Sequence, residues 1–81
     1  MANRLGVIGV VIEEMEVVSR VNQILSDHSR IIVGRMGIPY RQRGVSVISL
    51  IIDGSTDEIG SLTGKLGALK GVSVKSALTT K

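Results

Sequence analysis

The sequence contains no cysteine, which excludes disulfides, thiolate metal ligands and catalytic thiols. Phenylalanine and tryptophan are also absent, so Tyr40 is the only aromatic residue. One chain therefore offers no aromatic platform on which unpaired nucleic-acid bases could stack. His28 is the only histidine, and a metal site needs further ligands. We predict no metal site and no cofactor.

No apolar run is long enough to cross a bilayer. The longest, residues 5–12, falls far short of the roughly 20 residues that a membrane helix needs. Glu13 and Glu14 follow it, where the cleavage site of a signal peptide would need small residues. We therefore expect a cytoplasmic protein and, with 81 residues, a single domain spanning 1–81.

Apolar residues make up 43% of the chain, and β-branched types dominate them, which favours β-sheet. Residues 5–12, 31–36 and 45–52 are predicted strands, and the apolar first and third suit the centre of a sheet. Residues 72–79 alternate between apolar and polar, as an edge strand does. Gly6 and Gly9 lie inside the first strand without the spacing of a dinucleotide-binding loop, so they predict close backbone packing.

Two helices are predicted between these strands. The first spans about 15–28, and its apolar face comprises Val17, Val18, Val21, Ile24 and Leu25. The second begins after Ser55, which has capping-box spacing to Glu58. Its apolar stripe comprises Ile59, Leu62, Leu66 and Leu69. Lys70 and Gly71 are expected to end it, with Gly71 in a left-handed conformation.

This order of elements predicts an α+β, ferredoxin-like βαββαβ fold. Its four-stranded antiparallel sheet has the order 4-1-3-2, with both helices on one face. The two halves are joined by residues 34–44, which contain the only proline. We expect Pro39 to prevent a regular strand there.

The sheet face without helices should be polar in a monomer, but Val45, Val47 and Ile51 fall on it. We therefore predict a homo-oligomer in which these residues form the interface, by packing sheet on sheet or edge to edge. Gly60 and Gly64 share one face of the second helix. They would allow close approach of a strand, a partner subunit or a ligand, and tight packing is the favoured explanation.

Several motifs resemble those of the iron-only hydrogenase system regulator family. They are Val21-Asn22-x-x-Leu25, Arg35-x-Gly37-x-Pro39-x-Arg41, residues 59–67 and Gly71-Val72-x-Val74-Lys75. The resemblance implies an ACT-like module, similar to the C-terminal domain of the nickel-responsive repressor, that forms dimers or tetramers. The nickel ligands of that repressor and its ribbon-helix-helix arm are absent from this sequence, so neither nickel binding nor a built-in DNA reader carries over.

The leading hypothesis is a non-enzymatic regulatory or ligand-sensing module that acts as a homo-oligomer. Its role would be that of a transcriptional regulator linked to an iron-only hydrogenase system. ACT-like modules hold small-molecule effectors near subunit interfaces, around strand–helix junctions. The candidate ligand- or anion-binding residues are Glu14, Arg35, Arg41, Arg43, Thr63, Gly64 and Lys65. A solvated hairpin is the alternative explanation for the arginines.

Two other functions stay open. A net charge of +3 fits weak attraction to nucleic acid, which Arg30, Arg35, Arg41 and Arg43 could bind as a patch. The chain could also be a structural assembly subunit. An enzyme is not expected, because the sequence has no nucleophile–base pair, ligand cluster or phosphate-binding loop.

Overall fold

The strands and helices follow one another in the order β-α-β-β-α-β. The structure, a computed structural model, describes residues 3–79. Its elements are β1 (Arg4–Ile12), α1 (Val18–Asp27), β2 (Ile32–Tyr40), β3 (Val45–Gly54), α2 (Thr56–Gly67) and β4 (Val72–Leu78). Short 3₁₀ turns at Met15–Val17, Ser29–Ile31 and Arg41–Arg43 precede α1, β2 and β3. No helix in residues 3–79 is long and apolar enough to cross a membrane.

The four strands form one antiparallel sheet in the order β2-β3-β1-β4. This confirms the predicted ferredoxin-like arrangement, since it is the order 4-1-3-2 counted from the opposite edge. The most apolar strands, β1 and β3, lie at the centre, where both of their edges are paired. The register places Ile8 opposite Leu50 and Val10 opposite both Ile48 and Val74.

One hydrophobic core fills the space between the sheet and the two helices. The sheet contributes alternate residues of its central strands, such as Ile8 and Leu50, which are fully buried. The helices contribute Val21, Leu25, Ile59, Leu62 and Leu66. The other predicted stripe residues, Val17, Val18, Ile24 and Leu69, pack at its margin. The predicted apolar faces of both helices are therefore confirmed.

The ends of the helices agree only partly with prediction. The capping box at the start of α2 is confirmed: Ser55 Oγ accepts from the Glu58 backbone N–H at 3.1 Å, and Glu58 Oε1 accepts from the Ser55 N–H at 3.0 Å. However, α2 ends at Gly67, earlier than predicted. Gly71 has the expected positive φ, 74°, but it belongs to the turn that leads into β4. The first predicted helix consists of a 3₁₀ turn followed by α1.

The prediction that Pro39 interrupts the strand is wrong. β2 continues through Pro39 to Tyr40, and Pro39 lies opposite Ser46 of β3. Because β2 is an edge strand with one neighbour, it tolerates a residue without a backbone N–H. The irregular connection is therefore only a short turn from Arg41 to Gly44, where Gly44 adopts a φ of 66°.

Candidate functional site

The most conspicuous surface is the sheet face opposite the helices, which we call the helix-free face. Within residues 3–79, nine large apolar side chains are strongly exposed, and seven of them lie on this face according to the strand register. They are Leu5, Val7, Met36, Ile38, Tyr40, Val47 and Ile51. The predicted interface residues Val45, Val47 and Ile51 all lie here, on β3.

On the helix-free face, residues opposite one another on neighbouring strands form rows that differ in side-chain size. A central row crosses all four strands through Met36, Ser49, Gly9 and Lys75. Its two middle members are small, whereas the rows on either side carry valine or isoleucine on the two central strands and end on β4 at Ala77 and Ser73. One flanking row contains Ile51, Val7 and Ala77, and the other contains Ile38, Val47 and Val11. The face therefore presents two apolar ridges with a shallow depression between them.

A second feature lies on the helix side of the sheet, between α1 and the edge strand β2. This α1–β2 groove has a volume of about 330 Å³. Its lining residues are Ile12, Met15, Val18, Asn22, Arg35, Gly37, Ile38, Pro39, Ser46 and Ile48. Most of them are apolar, and they come from β1, the 3₁₀ turn before α1, α1 itself, β2 and β3.

The groove exists because β2 is poorly covered on its helix side. Arg35, Gly37 and Pro39 point to that side and are all exposed. Gly37 contributes no side chain, and a Cβ at this position would meet only Ile48 Cγ1, at 3.7 Å. The absence of one side chain in the middle of β2 therefore leaves the floor of the groove open.

Arg35 is the charged residue of the groove. Its Nη2 donates a hydrogen bond to Asn22 Oδ1 of α1 at 3.1 Å, which holds the guanidinium across the groove. In the described part of the chain the one salt bridge joins Arg30 to Glu58, so no carboxylate neutralises Arg35. A guanidinium has five N–H donors, and most of those on Arg35 stay available to a ligand.

Of the other predicted ligand residues, Arg41 lies closest to the groove. It lines an adjoining depression of about 380 Å³ that shares Met15 and Pro39 with the groove. Arg43 lies in the same turn but lines neither cavity. Glu14 faces Gly71 instead, since a Cβ at Gly71 would lie 2.3 Å from Glu14 Cγ. The structure therefore brings Arg35 and Arg41 to one region and leaves Glu14 and Arg43 outside it.

The predicted residues on α2 lie elsewhere. Thr63 Oγ1 donates to the Gly60 carbonyl within the helix at 3.3 Å, and Gly64 and Lys65 are exposed. No described atom lies within 4 Å of a Cβ built at Gly60 or Gly64, so no strand of the chain approaches them. Of the close approaches that these glycines would allow, packing against a strand of this chain is therefore excluded. A partner or a ligand at this face stays a prediction.

A small polar cleft lies at the end of the sheet where β2 begins, away from the Arg41–Arg43 turn. Its lining residues are Asp27, His28, Arg30, Ile31, Glu58 and Ser61. His28 Nδ1 donates to the Ile24 carbonyl at 2.8 Å, and His28 Nε2 lies 3.3 Å from Ser61 Oγ. The pKa of Glu58 is lowered, and the largest cause is the hydrogen bond from the Ser55 backbone N–H. The hydrogen bond with the Ser55 hydroxyl and the charge of Arg30 lower it further. The sequence indicated the cap, but not the contacts with Arg30 and Ser61.

The four arginines proposed as a nucleic-acid patch do not form one. Arg30 pairs with Glu58 at one end of the sheet, whereas Arg41 and Arg43 lie in the turn at the other end. Arg35 lies between these ends and bonds to α1. Within residues 3–79, no three His, Asp or Glu side chains are grouped to hold a metal ion.

Comparison with known proteins decides the family. The sequence profile of the TM1266-like family matches residues 4–76. This family is described, as a provisional assignment, as an iron-only hydrogenase system regulator. The chain belongs to the TM1266-like family. The structure of the uncharacterized protein TM1266 from Thermotoga maritima superimposes with a TM-score of 0.91 at 32% identity, over 96% of this chain and 99% of that one. No curated protein matches the chain in sequence.

More distant structures share the fold of this family member. The ACT domain of the GTP pyrophosphokinase from Chlorobium tepidum superimposes with a TM-score of 0.69 at 20% identity, over 100% of this chain and 91% of that one. A nitrogen regulatory PII-like protein from Thiomonas intermedia gives a TM-score of 0.51 at 13% identity, over 96% and 92%. The ACT-like, ferredoxin-like fold is thus confirmed.

Proposed function

We propose that the chain is a non-enzymatic regulatory module that works as a homo-oligomer and responds to a small-molecule effector in the control of an iron-only hydrogenase system. Membership of the TM1266-like family supports the regulatory role. The shared fold supports the effector, since the PII-like neighbour is bound to ADP, AMP and bicarbonate. The oligomer rests on the helix-free face, the observation that carries the proposal.

The size of this face argues for a covering partner. The seven exposed side chains leave between 38% and 65% of their surface in solvent. Together they present roughly 600–700 Å², above the roughly 300–600 Å² of the largest patch on a typical monomer. That area approaches the roughly 800 Å² that each partner buries in a standard interface. A monomer would leave all of it in water.

A second copy of the chain fits this face. Two sheets pack face to face at about 10 Å when side chains from both inner faces interdigitate. In a two-fold symmetric dimer the same patch serves both partners. The two apolar ridges on either side of the Ser49–Gly9 depression are suited to such an arrangement, because a ridge of one copy can enter the depression of the other.

The test is the oligomeric mass of the wild type and of Ile51→Lys. Ile51 is 48% exposed near the middle of the face, which corresponds to about 100 Å² and about 2 kcal/mol of apolar burial per protomer. With two copies affected and a charge introduced, the dissociation constant should rise by at least about a thousandfold. Sedimentation at micromolar concentration should give an oligomer for the wild type and a monomer for Ile51→Lys.

Met15→Lys is the matched control. Met15 is also exposed, at 55%, but it lies on the helix side of the sheet. The same substitution there should leave the oligomer intact. A wild type that sediments as a monomer would refute the proposed function as stated, and so would equal dissociation of the two variants.

Direct nucleic-acid binding is not favoured, because the arginines are dispersed over both ends of the sheet and one of them is neutralised. We propose that any effect on transcription passes through a protein partner. A salt-sensitive gel shift by the purified chain would contradict this part of the proposal, whereas the absence of a shift at low salt would support it.

A further inference from the structure

We propose that the α1–β2 groove is the effector site, and that it takes a small organic monocarboxylate with a short apolar chain. This inference rests on the proposed function, because it names the ligand class to which that module would respond. The groove lies on the other side of the sheet from the helix-free face, with which it shares the edge-strand residue Ile38.

The carboxylate preference comes from Arg35. Its guanidinium is fixed by the 3.1 Å hydrogen bond to Asn22, and no acidic side chain in residues 3–79 forms a salt bridge with it. A planar guanidinium matches a carboxylate with two parallel N–H···O bonds. Because the side chain is already held across the groove, little rotamer freedom is lost when an anion binds.

The apolar chain would lie on the groove floor. Met15 and Val18 of the α1 side face Ile48 and Pro39 across the space that Gly37 leaves open. Methionine adapts its shape to different small apolar groups. The volume of about 330 Å³ lies at the lower end of the range for ligand pockets, which favours a compact ligand over a nucleotide.

Ser46 supplies a further polar group. It lies opposite Pro39 on the floor and is half-buried, and its hydroxyl makes no hydrogen bond within the described residues. It can donate to an oxygen of the ligand. Since the groove stays open on one side, we expect a dissociation constant of about 0.1–1 mM for a compact ligand.

The experiment is an NMR titration of the ¹⁵N-labelled full chain with isovalerate as the probe. Acetate lacks the apolar chain, 3-methylbutan-1-ol lacks the carboxylate, and inorganic phosphate is an anion of another class. Isovalerate should shift the amide signals of Val18, Asn22 and Gly37 and bind at least about tenfold more tightly than the other three. Equal affinity for any of the three, or shifts confined to another surface, would overturn the proposal.

Variants separate the groove from general basicity. Arg35→Gln should weaken isovalerate at least about tenfold, whereas Arg43→Gln removes the same charge outside the groove and should leave the affinity unchanged. Gly37→Val should fill the floor and abolish binding, and strand geometry accepts valine there. Equal effects of the two arginine variants, or full binding by Gly37→Val, would refute the site.

The two proposals fail separately. If the wild type forms an oligomer that Ile51→Lys dissociates, and isovalerate does not bind in the groove, only the effector site is refuted. If the wild type is a monomer, the proposed function fails whatever the titration finds.

Discussion

Replacing Gly6 with alanine should destabilise the protein, because β4 passes too close to this residue. A Cβ at Gly6 would lie 2.4 Å from the Ala77 carbonyl oxygen and 3.0 Å from Leu78 Cα. Both are backbone atoms, so a change of side-chain rotamer cannot relieve the contact. The C-terminal end of β4 must move away from β1 to make room for the methyl group.

The cost can be bounded from what that movement breaks. The Thr79 N–H donates to the Leu5 carbonyl at 2.9 Å, and Leu78 packs at the margin of the core. Loss of one or two backbone hydrogen bonds and part of the Leu78 burial amounts to about 2–3 kcal/mol. The figure does not rise much further, because β4 is an edge strand whose end can separate without unfolding the rest. The melting temperature should fall by about 10–20 °C.

The assay is urea denaturation followed by circular dichroism, with Gly9→Ala as the matched control. Gly9 lies on the same strand, but the nearest atom to its Cβ is the Lys75 carbonyl oxygen, at 4.0 Å. Alanine there should stabilise the fold by about 0.4–1 kcal/mol, because it restricts the unfolded chain. Both variants should be made in the Ile51→Lys background, so that Gly9 on the helix-free face is free of subunit contacts. The reasoning would be refuted if the free energy of unfolding of Gly6→Ala lay within about 0.5 kcal/mol of that of its parent. Equal destabilisation by Gly9→Ala would refute it as well.

Two further predictions concern the start of α2. Ser55→Ala removes the N-cap hydroxyl that accepts from the Glu58 N–H, and thermal denaturation should show a loss of about 1 kcal/mol. Ser76→Ala, at an exposed position on the helix side of β4, should change little. Since Ser55 and Arg30 lower the folded-state pKa of Glu58 below its usual 4.5, the unfolded chain binds the proton more tightly. The stabilisation from ionised Glu58 is therefore present above that pH and lost as the pH falls through the folded pKa. Unfolding curves of the wild type and Glu58→Gln should converge on acidification, and a gap independent of pH would contradict this assignment.

Local patterns in the sequence predicted most of the fold. The alternation and apolar runs of the strands, the stripe from Ile59 to Leu66 and the Ser55–Glu58 capping box each depend on contacts within one element. The exposed apolar face followed as well, because strand residues alternate between two sides and only two helices were available to cover them. These features arise from the spacing of apolar and capping residues, which is visible within a single segment of the chain.

The failures came where neighbours in space decide the outcome. Pro39 is compatible with β2 because that strand lies at an edge, and its position in the sheet is a tertiary property. A Cβ at Gly60 or Gly64 would have no neighbour within 4 Å in residues 3–79, although the spacing of these glycines is typical of close packing. Gly71 has the positive φ expected of a helix cap but serves a turn that Glu14 approaches. In each case the residue type indicated a special backbone position. The sequence did not show whether, and where, another element lies beside it.

The sequence by itself determined that the chain forms a ferredoxin-like sheet with two helices and a surplus of apolar surface, because hydrophobic periodicity and caps act locally. Only the tertiary structure distinguished Gly6 from Gly9 and Arg35 from Arg43, residues of one type a few positions apart. A Cβ at Gly6 would collide with the backbone of β4, whereas one at Gly9 would meet no described atom closer than 4.0 Å. Arg35 reaches Asn22 across a groove, whereas Arg43 lies outside it. The physical reason is that a close approach or a fixed charge depends on elements distant in sequence, which meet only when the sheet has formed.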